Sequence, residues 1–408
     1  MKRIPVILIW IIIVLTGGWG CKKAYNPKPV TSAANYLVVE GSINTGTDST
    51  VIRLSRAVPI SLKAGSVPEL GAIVTIIGEG GASYPCIEAG KGFYKAPGLD
   101  VTSGNFGLKI NTSNGNVYQS DLVPVKNSPP IDSVYYKIKN NSVDLYGKIQ
   151  SAGIEIYADA HDPANNTRYY RWDYLATYEF HSAFNSMLYL QTVPEDSVVQ
   201  RPLSDQVYVC WRNDTSSTIL LNSSAKLAKD VISQNPIAFI SSTAEELENR
   251  YSILVKQYAL TAEAYSYYTQ LKKNTEQLGG VFDPQPSQLT GNIHCITNPA
   301  ETVLGYITAG ASAQARIYID NRKLPAWQAA TPYSDCILDT DLYVRKLRSG
   351  AVINEVRDEI YAGYNIPIVP YKPDPRAAHP LGYTGSSPAC VDCSLRGTNK
   401  RPDFWISE

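Results

Sequence analysis

Along Arg250 to Lys256, Tyr251, Ile253 and Val255 alternate with Ser252, Leu254 and Lys256, the period of a pleated strand rich in aromatic and β-branched residues. At Thr261 the period lengthens. The hydroxyl stands where a helix needs a cap, and Glu263 falls in the first turn, where it meets the positive helix end. Ala264, Tyr268, Leu271, Thr275 and Leu278 follow three or four apart on one face, with Lys272, Lys273 and Glu276 turned to solvent. The spacing predicts a helix over 262–278, stopped by Gly279-Gly280. A turn at Asp283-Pro284-Gln285-Pro286 and a return to strand near Asn292 come next. This is the longest helical signal in the chain, and the second domain is expected to be organised on it.

Before that stretch the pattern is short strands with turn punctuation. Tyr36–Glu40, Thr50–Ser55, Ala72–Ile77, Ser83–Glu88, Gly92–Ala96, Phe106–Asn111 and Val117–Val123 are the candidates. Asn114-Gly115 lies between the last two, the strongest short hairpin signal. Strands this short and this close suit a β-sandwich over 35–127. The Gly71–Ile76 run with Gly92-Phe93-Tyr94 resembles carboxypeptidase-regulatory-like and transthyretin-like sandwiches, an Ig-like arrangement being the other option.

Asn127-Ser128-Pro129-Pro130 marks a domain boundary, because paired prolines favour extended, solvated backbone. Beyond it Ser133–Ile138, Ile154–Ala160 and the long aromatic Arg168–Phe180 read as strands. Val207–Arg212 and Thr218–Leu221 are expected to pair, and Ser224–Ser233 is a weaker helix candidate before a strand at Ile237–Ile240. Val303–Ala309 and Gln314–Ile319 predict a hairpin. Leu342–Tyr364 reads as irregular or partly helical, and 365–408 as a Pro- and Gly-rich cover. The fold class is therefore mainly β: an N-terminal β-sandwich, then a larger β-rich α+β domain over 131–408 with one prominent helix.

The first residues bear on compartment. Lys2 and Arg3, an apolar run from Ile4 to Leu15, and small residues before Cys21 describe a secretory leader over 1–20. The run is shorter than the roughly 20 apolar residues a spanning helix needs. A Cys at that place resembles the acylated cysteine of bacterial lipoproteins, which implies lipidation at Cys21 and a Lys- and Pro-rich tether over 21–34. Lys22 and Lys23 stand where surface-exported lipoproteins often carry acids, so both membrane faces stay open. Hydrophobic content of 44% with 18% charged residues is that of a folded protein. Lys plus Arg and Asp plus Glu each total 37, so charge points to no nucleic acid. Tyr outnumbers Phe 28 to 7, which suits half-exposed strands or a wet binding surface.

In an oxidising compartment Cys86, Cys210, Cys295, Cys336, Cys390 and Cys393 are disulfide candidates, in any of fifteen pairings. Cys390-Val391-Asp392-Cys393 lacks the strand and helix of a redox dithiol and the further ligands of a zinc site. His161, His181, His294 and His379 are scattered; His294 beside Cys295 is a candidate ligand or base. Asp335, Asp339 and Asp341 lack the Gly and terminal Glu of a calcium loop and read as a solvated loop. No zinc-peptidase pair, serine-hydrolase elbow or nucleotide-binding glycine spacing is present, so no catalytic residue, metal ligand or cofactor is assigned.

Three runs carry a more specific likeness: YSILVKQYALT at 251–261, LKKNTEQLGGVFDPQPSQLTGNIHC at 271–295 and CVDCSLRGTNKRPDFW at 390–405. With the leader, they resemble the Bacteroidota outer-membrane lipoproteins grouped as domain of unknown function 4249. The resemblance implies a non-enzymatic, lipid-anchored accessory protein beside a TonB-dependent receptor, serving ligand capture or an envelope complex. The alternatives are a surface hydrolase of glycan or peptide, marked by acids facing across a cleft, and a purely structural envelope component.

Overall fold

The computed structural model describes residues 35–58, 65–143, 149–276 and 289–406. Cys21, the tether, Gly279-Gly280 and the Asp283–Pro286 turn lie outside them.

Every N-terminal strand expected from alternation forms. Leu37–Ser42, Thr50–Arg56, Ile73–Gly78, Ser83–Glu88, Phe93–Ala96, Asn105–Asn111 and Val117–Ser120 pair antiparallel, with Leu37, Ile52, Leu54, Ile76, Leu108 and Ile110 wholly buried. Ser83–Glu88 pairs with Ile73–Gly78 through its first residues and with Phe93–Ala96 through Ile87 and Glu88. It thereby passes from one layer to the other. Gly115 takes φ +89° at the Asn-Gly turn, a conformation open to glycine at no steric cost.

This sheet is closed from far away in sequence. Ile293–Cys295 pairs with Val117–Ser120, and Val303–Leu304 runs parallel to Leu37–Ser42. Ile293, Cys295, Val303, Ile307 and Ala309 are buried in the sandwich core, and Asn292 brackets Ile307 through both its amide atoms at 2.9 and 3.0 Å. Arg56, buried between Glu69 at 2.6 Å and Glu301 at 3.4 Å, fastens the same return. The sandwich thus takes up residues 292–309 beyond the boundary at Pro130, and the expected hairpin of 303–309 with 314–319 does not form. Ala313–Asp320 pairs with Arg250–Leu260 instead.

The second region packs two sheets face to face. One runs Ile131–Lys139, Gly153–His161, Val231–Ser241; in the other, Val209–Thr215, Tyr169–His181, Arg250–Leu260 and Ala313–Asp320 lie side by side. Leu220–Ser223 continues the line of Val209–Thr215 along Tyr169–His181, so these two strands do not pair with each other. Trp172, Tyr170, Phe180, Ile253 and Val255 fill the space between the sheets with Ile154 and Ile156. Ser224–Ser233 is not helical. Ser224 and Asp230 spend their side chains on each other, Tyr170 also donates to Asp230, and Val231 begins a strand.

The helix forms over Ala262–Glu276, with Thr261 Oγ1 accepting from Ala264 N at 3.2 Å as the cap. It does not organise the domain. Ala264, Tyr267 and Tyr268 bury in a small cluster with Tyr169, Leu221 and Tyr306, apart from the main core. Lys272 and Glu276 do not simply face solvent: Lys272 donates to Ile219 O and Glu276 accepts from Ile219 N, both at 2.6 Å. The organising pair is Tyr169–His181 against Arg250–Leu260, in register over eleven residues. The C-terminal stretch is also more ordered than a cover, with Asp339–Leu342, Ile366–Tyr371 and Gly382–Ser386 forming a small sheet.

Candidate functional site

A register row builds the site. Glu179 stands opposite Trp211 on one side and Arg250 on the other, and Arg250 stands opposite Asp320. Partners directly across a ladder project from the same face. Four strands therefore place Trp211, Glu179, Arg250 and Asp320 in one line, the floor of a cleft of about 730 Å³. Tyr208, Gln206, Glu248, Asn249, Arg322, Arg401 and Trp405 complete its walls.

The chain's end supplies the far wall, and two disulfides hold it there. Cys210 joins Cys393 across 183 residues and Cys336 joins Cys390 across 54. Trp211 and Thr398 exchange backbone hydrogen bonds at 2.8 and 2.9 Å, and Asn399 Nδ2 donates to Gln206 O at 2.8 Å. Arg250 Nη1 donates to Ile406 O at 2.6 Å, and Tyr318 donates to Phe404 O. Trp405, 5% exposed, meets Trp211 and Tyr318 edge-on at 6.3 and 6.1 Å. Trp405 anchors the tail, whereas Phe404 remains partly exposed beneath the Arg316 guanidinium.

The charges inside are committed differently. Asp320 accepts from Arg322 Nε at 2.9 Å and Nη2 at 2.6 Å; these bonds hold its carboxyl down at about 2, with Arg250 adding to the effect. Burial pushes the Glu248 carboxyl up, and its Oε2 has no hydrogen-bond partner. Trp211 Nε1 and Arg250 Nε are likewise buried and unpartnered. Unsatisfied buried polar atoms are uncommon in folded proteins, and here three belong to one cleft. His181 lies flat on Tyr208, ring centroids 4.7 Å apart, beside the floor. Burial lowers its pKa despite Glu179 at 3.9 Å, and Asn249 Nδ2 stands 3.0 Å from Nδ1. An amide nitrogen donates, so this contact suits a neutral ring that accepts at Nδ1.

The other sequence candidates fall elsewhere. Cys390 and Cys393 each bridge to a distant partner, not to one another. Cys86 and Cys295, expected to be bridged, are free thiols in the sandwich; burial raises the Cys86 thiol to about 11, which disfavours its thiolate. His294 is exposed, 3.5 Å from Asp121, and His161 pairs with Asp132 at 2.7 Å. Asp339 and Asp341 belong to a strand rather than a solvated loop, and buried Asp341 accepts from Asn365 at 3.1 Å. Among the described residues no group of three His, Cys, Asp or Glu is placed to hold a metal ion, nor is any helix long and apolar enough to cross a membrane.

No curated protein matches the chain. Solved structures that match include a mutant of Salmonella alpha-2-macroglobulin, at 7% identity and TM-score 0.17, covering 79% of this chain and 16% of that one. The native E. coli alpha-2-macroglobulin matches at 7% identity and TM-score 0.16, covering 84% and 16%. The chain spans 16% of the length of either, and at these scores the likeness carries no argument. The family described as domain of unknown function (DUF4249) matches residues 22–316. That is well over half of the chain and includes the runs at 251–261 and 271–295, while the tail run at 390–405 lies beyond it. The chain belongs to the DUF4249 family.

Proposed function

We propose that the chain is a non-enzymatic, lipid-anchored outer-membrane protein that captures a ligand beside a TonB-dependent receptor or within an envelope complex. The cleft on the Trp211–Glu179–Arg250–Asp320 row carries this reading. It pairs aromatic surface from Tyr208, Trp211 and Trp405 with fixed charges and unpartnered polar atoms. A few convergent polar groups in a roomy aromatic concavity are the ordinary makings of a ligand site. The anchor rests on Cys21 behind its leader, and the receptor and the Bacteroidota setting rest on the family resemblance.

A surface hydrolase is the second reading, favoured by one observation: Glu179 and the burial-raised Glu248 line the same cleft. Asp320 is spent on Arg322, and Ser182 Oγ donates to Phe184 O rather than to a base. Intrinsic tryptophan fluorescence separates the readings, because Trp211 and Trp405 line the cleft. Titration with glycan and peptide panels is expected to quench or shift the emission without turnover, and Trp405→Ala to abolish the change. Product formation by the wild type that Glu248→Gln removes would replace capture with hydrolysis. For the anchor, Cys21→Ala is expected to move the protein out of the membrane fraction.

A further inference from the structure

A second cavity, about 500 Å³, opens where the sandwich meets the second region. Val38–Gly41 and Leu304–Tyr306 line it from the sandwich, and Tyr267, Tyr268 and Leu271 from the helix. The remaining wall holds Arg171 and Asp173, two residues apart on Tyr169–His181 and so on the same face of the strand.

Arg171 is held in an unusual way. Its guanidinium lies over the rings of Tyr258, 4.5 Å from the centroid, and Tyr268, 4.9 Å. Tyr258 is its register partner on Arg250–Leu260, and Tyr268 comes from the helix. Contact with two rings leaves recognition to the N–H donors of the guanidinium that stay free, a fork matched to carboxylate. Those donors are only partly engaged, the Tyr258 hydroxyl being one partner. Nε is buried without a partner, and Nη2 stands 3.6 Å from Asp173 Oδ2, too far for a good hydrogen bond. Asp173 accepts a long contact from the Tyr258 hydroxyl at 3.4 Å, and Lys256 is its partner across the ladder. Both side chains keep some solvent access, at 22% and 39% exposure.

We propose that this cavity binds a small zwitterion with an apolar body, of the apolar α-amino acid class. Its carboxylate accepts from the Arg171 edge and its ammonium donates to Asp173. Its side chain rests against Leu271, Tyr267 and Leu304. Arg171 Nη2 and Asp173 Oδ2, 3.6 Å apart, are spaced much like the opposite charges of such a molecule, and Leu271, Tyr267 and Leu304 line the same cavity. The site is separate from the Trp211 cleft, so its failure leaves the proposed function standing.

Isothermal titration calorimetry of the full chain in detergent tests this, with L-leucine and L-phenylalanine as ligands. Their amides and N-acetyl derivatives each remove one charge. Saturable binding is expected for the free amino acids, weakened at least tenfold for both derivatives. Arg171→Lys is expected to remove the preference over the amide and Asp173→Asn the preference over the N-acetyl form. Melting curves of both variants check that the fold survives. Should Arg171→Lys not fold, the ligand series on the wild type still decides. No binding at millimolar concentrations, or N-acetyl forms binding as well as free amino acids, overturns the proposal.

Discussion

The N-terminal sandwich and the sheet pair beyond Pro130 follow the same alternation but are built of different material. Leu, Ile and Val make up most of the sandwich core around Tyr94, Phe106 and Tyr118, and its two buried or half-buried cysteines are free thiols. In the second core Trp172, Tyr170, Tyr178, Phe180 and Tyr251 join the aliphatic residues and give it the larger share of aromatics, and both disulfides lie in that region. Aliphatic side chains close a core without leaving polar tips to satisfy. Aromatic side chains bring large faces and polar handles, such as Trp172 Nε1 on Gln257 at 3.0 Å. The large cleft belongs to the aromatic region, and the smaller cavity sits on its border. Both concavities thus draw on the aromatic region, the smaller one shared with the sandwich.

The sharpest way to break that division is Trp172→Ala. Truncating a buried Trp costs about 3–5 kcal/mol, read by chemical denaturation. Hydrogen exchange on the variant is expected to show lost protection at Tyr169–His181 with Leu37–Arg56 still protected. Equal loss in both would mean that the return through 292–309 fuses the regions into one unit. Next in size is the double change Cys210→Ser with Cys393→Ser, which removes a bridge worth about 2–5 kcal/mol. It is expected to loosen the tail and abolish the cleft's fluorescence response, and alkylation of the denatured wild type is expected to find thiols at Cys86 and Cys295. In the sandwich, Ile76→Val should cost about 0.5–1.5 kcal/mol and leave that response intact.

The smallest effects are in pH. Burial lowers the folded pKa of His181, so the unfolded chain takes the proton first as pH falls. The stability tied to this neutral ring is fully present above roughly 6.5 and is lost as pH drops below it. His161 has the opposite sign. Its bond with Asp132 raises the folded value, so its contribution is present below roughly 6.5 and is lost as pH rises through that raised value. Stability measured against pH should therefore flatten on the acid side in His181→Asn and on the alkaline side in His161→Asn.

The sandwich was legible because each of its strands announces itself by a period of two and a turn at its end. Its closure was not. Val303–Leu304 runs parallel to Leu37–Ser42, and pairing across so long a separation leaves no local trace. The helix was legible to its cap at Thr261, but periodicity reports that a helix exists and not what it supports. The cleft was invisible for a related reason: residues 179, 211, 250 and 320 meet only through register. One signal did point there. The run at 390–405, singled out by resemblance, gives the cleft Arg401 and Trp405, though its CVDC spacing read alone invites a pairing that the fold does not make.

The central claim is capture at a membrane beside a receptor, and co-purification tests it most directly. Protein tagged at its native level, drawn from detergent-solubilised outer membranes and identified by mass spectrometry, is predicted to bring a TonB-dependent receptor in stoichiometric amount. Recovery of the chain alone, from a fraction where Cys21→Ala distributes no differently, would contradict the account.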